Sequence, residues 1–300
     1  MPKVSVIMPV YNETENVLKY AINSILKQTF TDFELIIIND GSVMDIDSVI
    51  NSYNDDRIRY HKNEKNLGII KTLNIGLDLA KAEYIARMDA DDISIRTRFE
   101  EEVLILDKNP QVGVVASGAV KFPSKMHIQA PQSSEDLKYL SMCYANCVVH
   151  PSVMMRKSVL DNHNIKYSDE FWHAEDYCLW MELFKHTEFY TIQKPLVLLR
   201  EREDSVSSQN SLLQAQNAEI IRIKSMLHEL NITDTLVEEK LINFARTKTI
   251  SRQDFLIYEK ILHQILEIVF EKADVVWQKY IASSLMEYRK NIYNAIVWDE

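Results

Sequence analysis

Residues 84–92 read YIARMDADD, and this stretch decides the fold prediction. A largely apolar run delivers Asp89, Asp91 and Asp92 within four residues. Carboxylates this close repel one another, so a bare cluster is costly unless a cation lies among them. Hard oxygen ligands of this kind suit Mg²⁺ or Mn²⁺. An acidic turn whose aspartates cap the next helix is the alternative, and this stretch alone does not decide between the two.

Apolar runs alternate with helical patterns around this stretch. Continuous apolar runs are typical of strands buried on both faces of a parallel sheet, and here they cover 3–10, 33–38, 58–61 and 83–88. The spacing of apolar residues between them predicts helices over 16–28, 45–53 and 69–80. This β-α-β-α order predicts a doubly wound, mostly parallel α/β domain whose ligands gather at the carboxyl ends of its strands. Tyr11, Asp40, Asn66 and 89–92 all fall at such ends.

The second half of the chain changes character. The pattern predicts a helix over 98–109, a strand over 113–119, a helix opened by Glu175 and Asp176, and a strand over 191–199. From about Ser211 glycine and proline vanish and helical stripes dominate, which predicts an all-helical C-terminal region.

Two details of this helical region are specific enough to check. We expect its first stripe to bury Leu212 and Leu213. Thr235 and Ser251 each precede an acidic residue by three positions, which resembles a capping box at a helix start.

Composition excludes several classes of function. A hydrophobic content of 46% with 26% charged residues is typical of a soluble globular protein. The formal charge of −10 argues against nucleic acid as the main partner. Three cysteines without paired spacing indicate reduced thiols rather than a zinc site. With neither a signal peptide nor an apolar span in the sequence, we expect a cytoplasmic protein, either free or peripheral at the inner face of the cell membrane.

Four motifs in order resemble one known family. They are VIMPVYNE (6–13), INDGS (38–42), RMDADD (87–92) and Glu175-Asp176. Together they resemble the family 2 glycosyltransferases, which have the nucleotide-sugar-binding GT-A fold. The resemblance implies a GT-A domain over 1–208, followed by a helical region over 209–300 that it does not cover.

The resemblance implies a donor site at the strand ends. Tyr11 would supply a stacking surface for the base, Pro9 would shape its turn, and Asp40 would accept the uracil N3–H, which favours UDP. Asn66 and Lys71 would approach the base or the phosphates, and Glu13 the ribose or base. From the residues alone, 40–42 is more simply an ordinary turn, and Glu13 and Lys71 could be solvated helix residues.

The metal and the base also follow from the resemblance. Asp89-Ala90-Asp91 matches the DxD motif, with Asp89 facing ribose and metal and Asp91 as direct ligand of Mn²⁺ or Mg²⁺. Asp176 matches the catalytic base and Glu175 would orient hydroxyls, although acidic residues also favour a helix N-terminus.

The family pattern has further positions and one departure. Arg87 would add positive charge or pair with the aspartates. His150 would lie near the donor sugar, although a lone histidine is more often structural. Where many relatives have a metal-binding histidine, this chain has Arg202. We expect Arg200 or Arg202 to pair directly with the diphosphate instead.

The predicted reaction is inverting transfer of a hexose from a UDP-sugar to a glycan or lipid-linked acceptor. The absence of a Gln-x-x-Arg-Trp motif favours a non-processive enzyme. Rival interpretations are a nucleotidyltransferase or phosphatase on a similar sheet, and a non-catalytic interaction protein. The helical region would form an acceptor-site wall, a homodimer contact, or a membrane contact through Trp277, Tyr280, Tyr288 and Trp298.

Overall fold

An α/β region is followed along the chain by a purely helical one. The computed structural model describes residues 1–202, 210–272 and 275–295. The strands are β1 (Val4–Val10), β2 (Phe33–Asn39), β3 (Ile58–Lys62), β4 (Tyr84–Arg87), β5 (Ile93–Ser94), β6 (Val112–Phe122), β7 (His127–Ile128), β8 (Met154–Arg156) and β9 (Glu188–Arg200). The helices between them are α1 (Glu15–Leu26), α2 (Ile46–Asn51), α3 (Ile69–Leu79), α4 (Arg98–Lys108), α5 (Ser134–Cys143), α6 (Lys157–His163) and α7 (Glu175–Leu183), with a 3₁₀ turn at His150–Ser152.

The strands of the described residues form one nine-stranded sheet in the order β3-β2-β1-β4-β8-β6-β9-β5, with β7 paired to β6. The first four strands are parallel, as predicted, and so are β6 and β9. β8 runs antiparallel between β4 and β6, and the β5–β9 and β6–β7 pairs are also antiparallel. The sheet is therefore mixed, and its parallel half is the part whose strand ends carry the predicted donor residues.

The register of β1 brings three strand ends together. Val10 pairs with Asn39 of β2, and Ile7 pairs with Arg87 of β4. Every residue of β1 and β2 is buried, because helices cover both faces, which is why both sequences are continuous apolar runs. Residues that directly follow β1, β2 and β4 consequently lie at one edge of the sheet.

A wholly buried ion pair on α4 contacts the end of β4. Arg98 and Glu102, one turn apart on α4, have no exposed surface, and Arg98 Nε lies 2.9 Å from Glu102 Oε1. The Arg98 guanidinium also donates to the carbonyls of Arg87 (3.0 Å) and Val153 (3.1 Å). Burial, only partly offset by Arg98, raises the pKa of Glu102 to about 7. This pair fixes the backbone two residues before Asp89.

The C-terminal helices pack on the α/β region. They are α8 (Ser211–Glu229), α9 (Thr235–Thr247), α10 (Arg252–Lys272) and α11 (Val275–Asn294). One apolar core runs from Ile7 and Ile38 of the sheet to Ile281 and Ile292 of α11. The helical tail therefore packs on the α/β region.

Of the aromatic residues considered for membrane contact, Trp277 is buried, whereas Tyr280 and Tyr288 are half-buried. The ring centroid of Trp277 lies 4.8 Å from that of Tyr139 on α5, and Tyr288 packs against Phe244. Tyr280 meets Tyr144 edge-on. Trp298 and the predicted domain boundary at 208/209 lie outside the described residues.

Two predictions about this region are wrong. Leu212 and Leu213 are exposed, by 74% and 43%, and the buried residues of α8 begin only at Ile220. The cap of α9 is Asp234 rather than Thr235, because the Asp234 carboxylate accepts the backbone N–H groups of residues 236 and 237. Ser251 does cap its helix, since its hydroxyl oxygen accepts the N–H of Asp254 at 3.1 Å.

Candidate active site

The loops after β1 and β2 form one corner of the site. Tyr11 is 54% exposed, whereas Pro9 is buried in β1. The Asn12 carboxamide oxygen accepts the N–H of Val43 at 2.8 Å, and Ser42 Oγ accepts the N–H of Asn12 at 2.9 Å. These two bonds tie the loops together and leave the Tyr11 ring exposed beside them.

Asp40 organises the next loop. Its carboxylate accepts hydrogen bonds from Asn63 Nδ2 (2.8 Å) and from the N–H groups of Leu67 (2.8 Å) and Gly68 (2.9 Å). Gly41 follows with a φ of 67°, and a Cβ there would lie 2.4 Å from the Lys65 carbonyl carbon. Asp40 is therefore more than an ordinary turn residue, because it is buried and shapes the loop over 63–68.

Asn66 and Lys71 border this loop on its outer side. Both side chains are exposed, and the Asn66 carboxamide oxygen accepts the N–H of Gly68 at 2.9 Å. The exposed ring of Trp172 also reaches this loop, lying about a van der Waals contact from where a Gly68 Cβ would stand. Sequence reasoning missed Trp172, because a single aromatic residue in a loop carries no pattern.

The three aspartates after β4 converge. One carboxylate oxygen from each of Asp89, Asp91 and Asp92 lies within 4.8 Å of the others. Burial and then the Asp89 charge raise the pKa of Asp91 to about 6, and the same causes together with the Asp91 charge raise that of Asp92 to about 8. A bare cluster of this kind holds its charge poorly, so its hard oxygen donors fit a divalent cation such as Mg²⁺ or Mn²⁺.

Asp92 also contacts the end of β9. It is buried, and its Oδ1 accepts the N–H of Arg200 at the end of β9 at 2.8 Å. It does not cap α4, whose first flanking residue is Thr97.

Arginines surround the aspartates. Buried Arg87 forms an ion pair with Asp89, and its Nε has no hydrogen-bond partner within the described residues. Arg202 pairs with Glu13 and places its Nε 3.2 Å from Asp91 Oδ2. Arg200 instead donates from Nε to the Asp91 carbonyl (3.0 Å) and lies over the Phe122 ring. Glu13 is thus buried and paired, which contradicts the solvated alternative.

A second acidic pair opens α7. Asp176 Oδ2 accepts a hydrogen bond from Asn146 Nδ2 at 2.8 Å, and Oδ1 accepts one from the Tyr177 N–H at 2.7 Å. Burial and the neighbouring Glu175 raise the pKa of Asp176 to about 6. Burial also raises the pKa of Glu175, whose Oε2 has no hydrogen-bond partner among the residues described.

Arg87 interacts electrostatically with both acidic groups. Of the neighbouring charges, Arg87 lowers the pKa values of both Glu175 and Asp176, and Asp89 raises that of Glu175. Arg87, at the end of β4, therefore lies within electrostatic reach of the aspartates on one side and of the α7 pair on the other.

His150 is buried within electrostatic reach of Arg87. Its Nε2 is 2.8 Å from the Tyr167 hydroxyl, and Tyr167 is itself fixed by backbone hydrogen bonds in both directions with the Asn74 side chain. Burial, aided by the Arg87 charge, holds the pKa of His150 well below its usual value. His150 is thus a neutral ring that packs against Tyr167 and Trp180.

This arrangement defines a class of protein. A mixed sheet whose parallel strand ends carry an aspartate cluster, with a carboxylate pair opposite, is that of the GT-A glycosyltransferases. Residues 5–163 match the model of glycosyl transferase family 2, and the chain belongs to that family. The predicted family and fold class are confirmed.

Similar proteins agree over most of the chain. An uncharacterized glycosyltransferase of Haemophilus influenzae is 30% identical over 96% of this chain and 91% of its own. The Escherichia coli UDP-Glc:alpha-D-GlcNAc-diphosphoundecaprenol beta-1,3-glucosyltransferase WfgD is 29% identical over 68% of this chain and 79% of its own. The crystal structure of S. aureus TarS 1–349 in complex with UDP-GlcNAc matches with a TM-score of 0.65 at 18% identity, covering 97% and 91% of the two chains. The chain is therefore a glycosyltransferase.

Among the described residues no helix is long and apolar enough to cross a membrane.

Proposed function

We propose that this glycosyltransferase moves a hexose from a UDP-sugar to a hydroxyl of a glycan or lipid-linked acceptor, with inversion and one sugar per encounter. The observation that carries the proposal is the convergence of Asp89, Asp91 and Asp92 beside Arg87 and Arg202 at the carboxyl ends of the parallel strands. A donor held at the aspartates would then present its anomeric carbon toward the α7 pair.

Uridine recognition is supported by Asp40 and Tyr11. Asp40 Oδ2 accepts one hydrogen bond in the structure, so it retains acceptor capacity for a base N–H. Tyr11 offers an exposed ring at the same corner. The complex of TarS with UDP-GlcNAc and the name of WfgD are in line with a UDP-sugar.

Asp91 and Asp89 would hold Mn²⁺ or Mg²⁺. Such an ion, when bound, neutralises charge that develops on the departing diphosphate. Arg202 lies close enough to Asp91 to share the diphosphate, while Arg200 is occupied by the Asp91 carbonyl and Phe122. Of the two arginines we therefore assign the diphosphate to Arg202.

Asp176 would act as the base. A positioned carboxylate that removes the proton of the acceptor hydroxyl accelerates such a step roughly 10²–10⁴-fold. One displacement at the anomeric carbon inverts its configuration, so an α-linked donor gives a β-linked product. Synthesis of a bacterial surface polysaccharide is the corresponding pathway class, in line with the acceptor in the name of WfgD.

Titration calorimetry with UDP, in the presence and absence of Mn²⁺, tests this proposal. We expect binding that requires Mn²⁺ in the wild type and weakens in Asp91→Asn. The matched control is Asp78→Asn, which changes an exposed aspartate paired with Lys166. A panel of UDP-hexoses then identifies the donor by UDP release into water. Metal-independent binding, or none, would favour the non-catalytic alternative.

A further inference from the structure

The loop between α5 and the 3₁₀ turn contacts the α7 carboxylate directly. Asn146 Nδ2 donates to Asp176 Oδ2 at 2.8 Å. The Asn146 carboxamide oxygen accepts the N–H of Val148 at 3.1 Å, which fixes which end of the amide faces Asp176. Asn146 is therefore held in the one orientation in which it donates to the carboxylate.

The C-terminal helices hold this loop from its other side. Ser284 Oγ on α11 donates to the Cys143 carbonyl at 2.9 Å. The Arg222 guanidinium on α8 donates to the Tyr144 carbonyl at 2.5 Å, and the Tyr144 ring meets Tyr280 of α11 edge-on. Two helices of the tail thus bind the backbone two and three residues before Asn146.

The start of the loop is held by packing and by hydrogen bonds. Cys143 is buried in the apolar core, while Tyr144 is partly exposed. Both residues, together with Arg222 and Ser284, line a cavity of about 280 Å³ between α5 and the tail. The hydrogen bonds from Arg222 and Ser284 are the directional contacts that link the tail to the backbone leading to Asn146.

We propose that Asn146 is a positioning residue for Asp176 and that the C-terminal helices keep it in place through Arg222 and Ser284. The inference rests on the proposed role of Asp176 as base. A neutral amide is suited to this task, because it orients the carboxylate without the full charge of an arginine, which would make it a poor base. The tail would then be part of the catalytic apparatus.

The pH profile distinguishes positioning from simple support. Four titratable groups face Asp176, namely Glu175 and Tyr177 on its own helix, Arg87 from β4, and Tyr167 from the loop before α7. None of them is changed by substitution of Asn146. Loss of the amide donor removes an interaction that favours the ionised carboxylate, so the acidic limb of the rate profile should move to higher pH.

The experiment uses the full chain, Mn²⁺ and whichever UDP-hexose of the panel gives the fastest UDP release. In Asn146→Leu we expect kcat at pH 6 to fall about tenfold, with the acidic limb shifted upward and KM for the donor unchanged. Asn146→Ser, which retains a short donor, should recover part of the loss. Arg222→Met with Ser284→Ala should shift the limb in the same direction by a smaller amount, and thermal melts check that each variant is folded.

A wild-type pH profile in folded Asn146→Leu would overturn the inference, and so would a lower kcat with an unmoved acidic limb. If Asn146→Leu does not fold, the Arg222→Met, Ser284→Ala variant decides by the same criterion. A wild type that binds UDP but releases none from any UDP-hexose at any pH would instead overturn the proposed function, and this inference with it.

Discussion

The two acidic groups of the site differ in what surrounds them. The aspartates after β4 lie among Arg87, Arg200 and Arg202, which donate ion pairs and backbone bonds to them. The α7 pair receives hydrogen bonds only from the Asn146 amide and nearby backbone N–H groups in the part of the chain described. Arginine beside a carboxylate favours its ionised form, whereas a neutral donor leaves it more basic.

This difference indicates a division of labour. The three crowded aspartates, whose pKa values stay raised until a cation neutralises them, are suited to bind a metal ion, and their arginines can pass to a diphosphate when that ion arrives. A carboxylate with a raised pKa and a neutral partner is suited to accept a proton. The predictions below test whether the two acidic groups are separable in this way.

The largest effect is expected for Asp176→Asn. The amide keeps the hydrogen bond from Asn146 but accepts no proton, so kcat for transfer should fall roughly 10²–10⁴-fold. Binding of UDP in the presence of Mn²⁺ should stay unchanged, because Asp176 lies outside the aspartate cluster. Product formation under saturating donor measures the first quantity and calorimetry the second. Wild-type rates in this variant would remove the base assignment.

A smaller loss, of another kind, is expected for Asp91→Asn. Without its metal ligand the enzyme would lose several kcal/mol of transition-state stabilisation, on the order of 10²-fold in rate. Its residual activity should respond weakly to added Mn²⁺, unlike that of Asp176→Asn, which should keep the metal affinity of the wild type. Rates measured over a Mn²⁺ titration separate the two. If the rates of both variants depend on Mn²⁺ concentration in the same way, the two acidic groups do not have separate roles in metal binding and proton transfer.

Much of the donor side could be predicted from the sequence because it depends on local order. Continuous apolar runs ended by Tyr11, Asp40 and Asp89 place those residues at one sheet edge once the strands are parallel. The same logic fails for β8, a three-residue strand whose antiparallel pairing depends on distant segments. The mixed half of the sheet therefore carries no signal in the local pattern.

The residues that support the site could not be predicted from the sequence. Asn146, Tyr167 and Arg98 act through long-range contacts to Asp176, His150 and the Arg87 carbonyl. Such contacts produce neither a periodic pattern nor a characteristic spacing in the sequence. The spacing of Arg98 and Glu102 suits a helical ion pair, but a solvated face would look the same before their burial is known.

The smallest effect expected concerns stability and uses the same Asp176→Asn variant. Burial raises the folded-state pKa of Asp176 from 3.8 to about 6, so the folded protein binds more protons than the unfolded chain between those values. The stability that Asp176 contributes is therefore present below about pH 4 and lost as the pH rises to about 6. An asparagine at this position does not titrate. The free energy of unfolding of the variant should therefore rise relative to that of the wild type across this pH range. We expect a rise of about 1–2 kcal/mol, because the carboxylate is only partly buried.

Urea unfolding of both proteins from pH 4 to pH 8 measures this difference. From about pH 7 upward it should be constant, since Asp176 is then largely ionised in both states of the wild type. An inactive variant that is more stable than the enzyme at neutral pH would mean that the base is kept ionised at a cost in stability. A difference that does not vary with pH would instead mean that the site does not raise the pKa of Asp176, and the contrast between the two acidic groups would lose its basis.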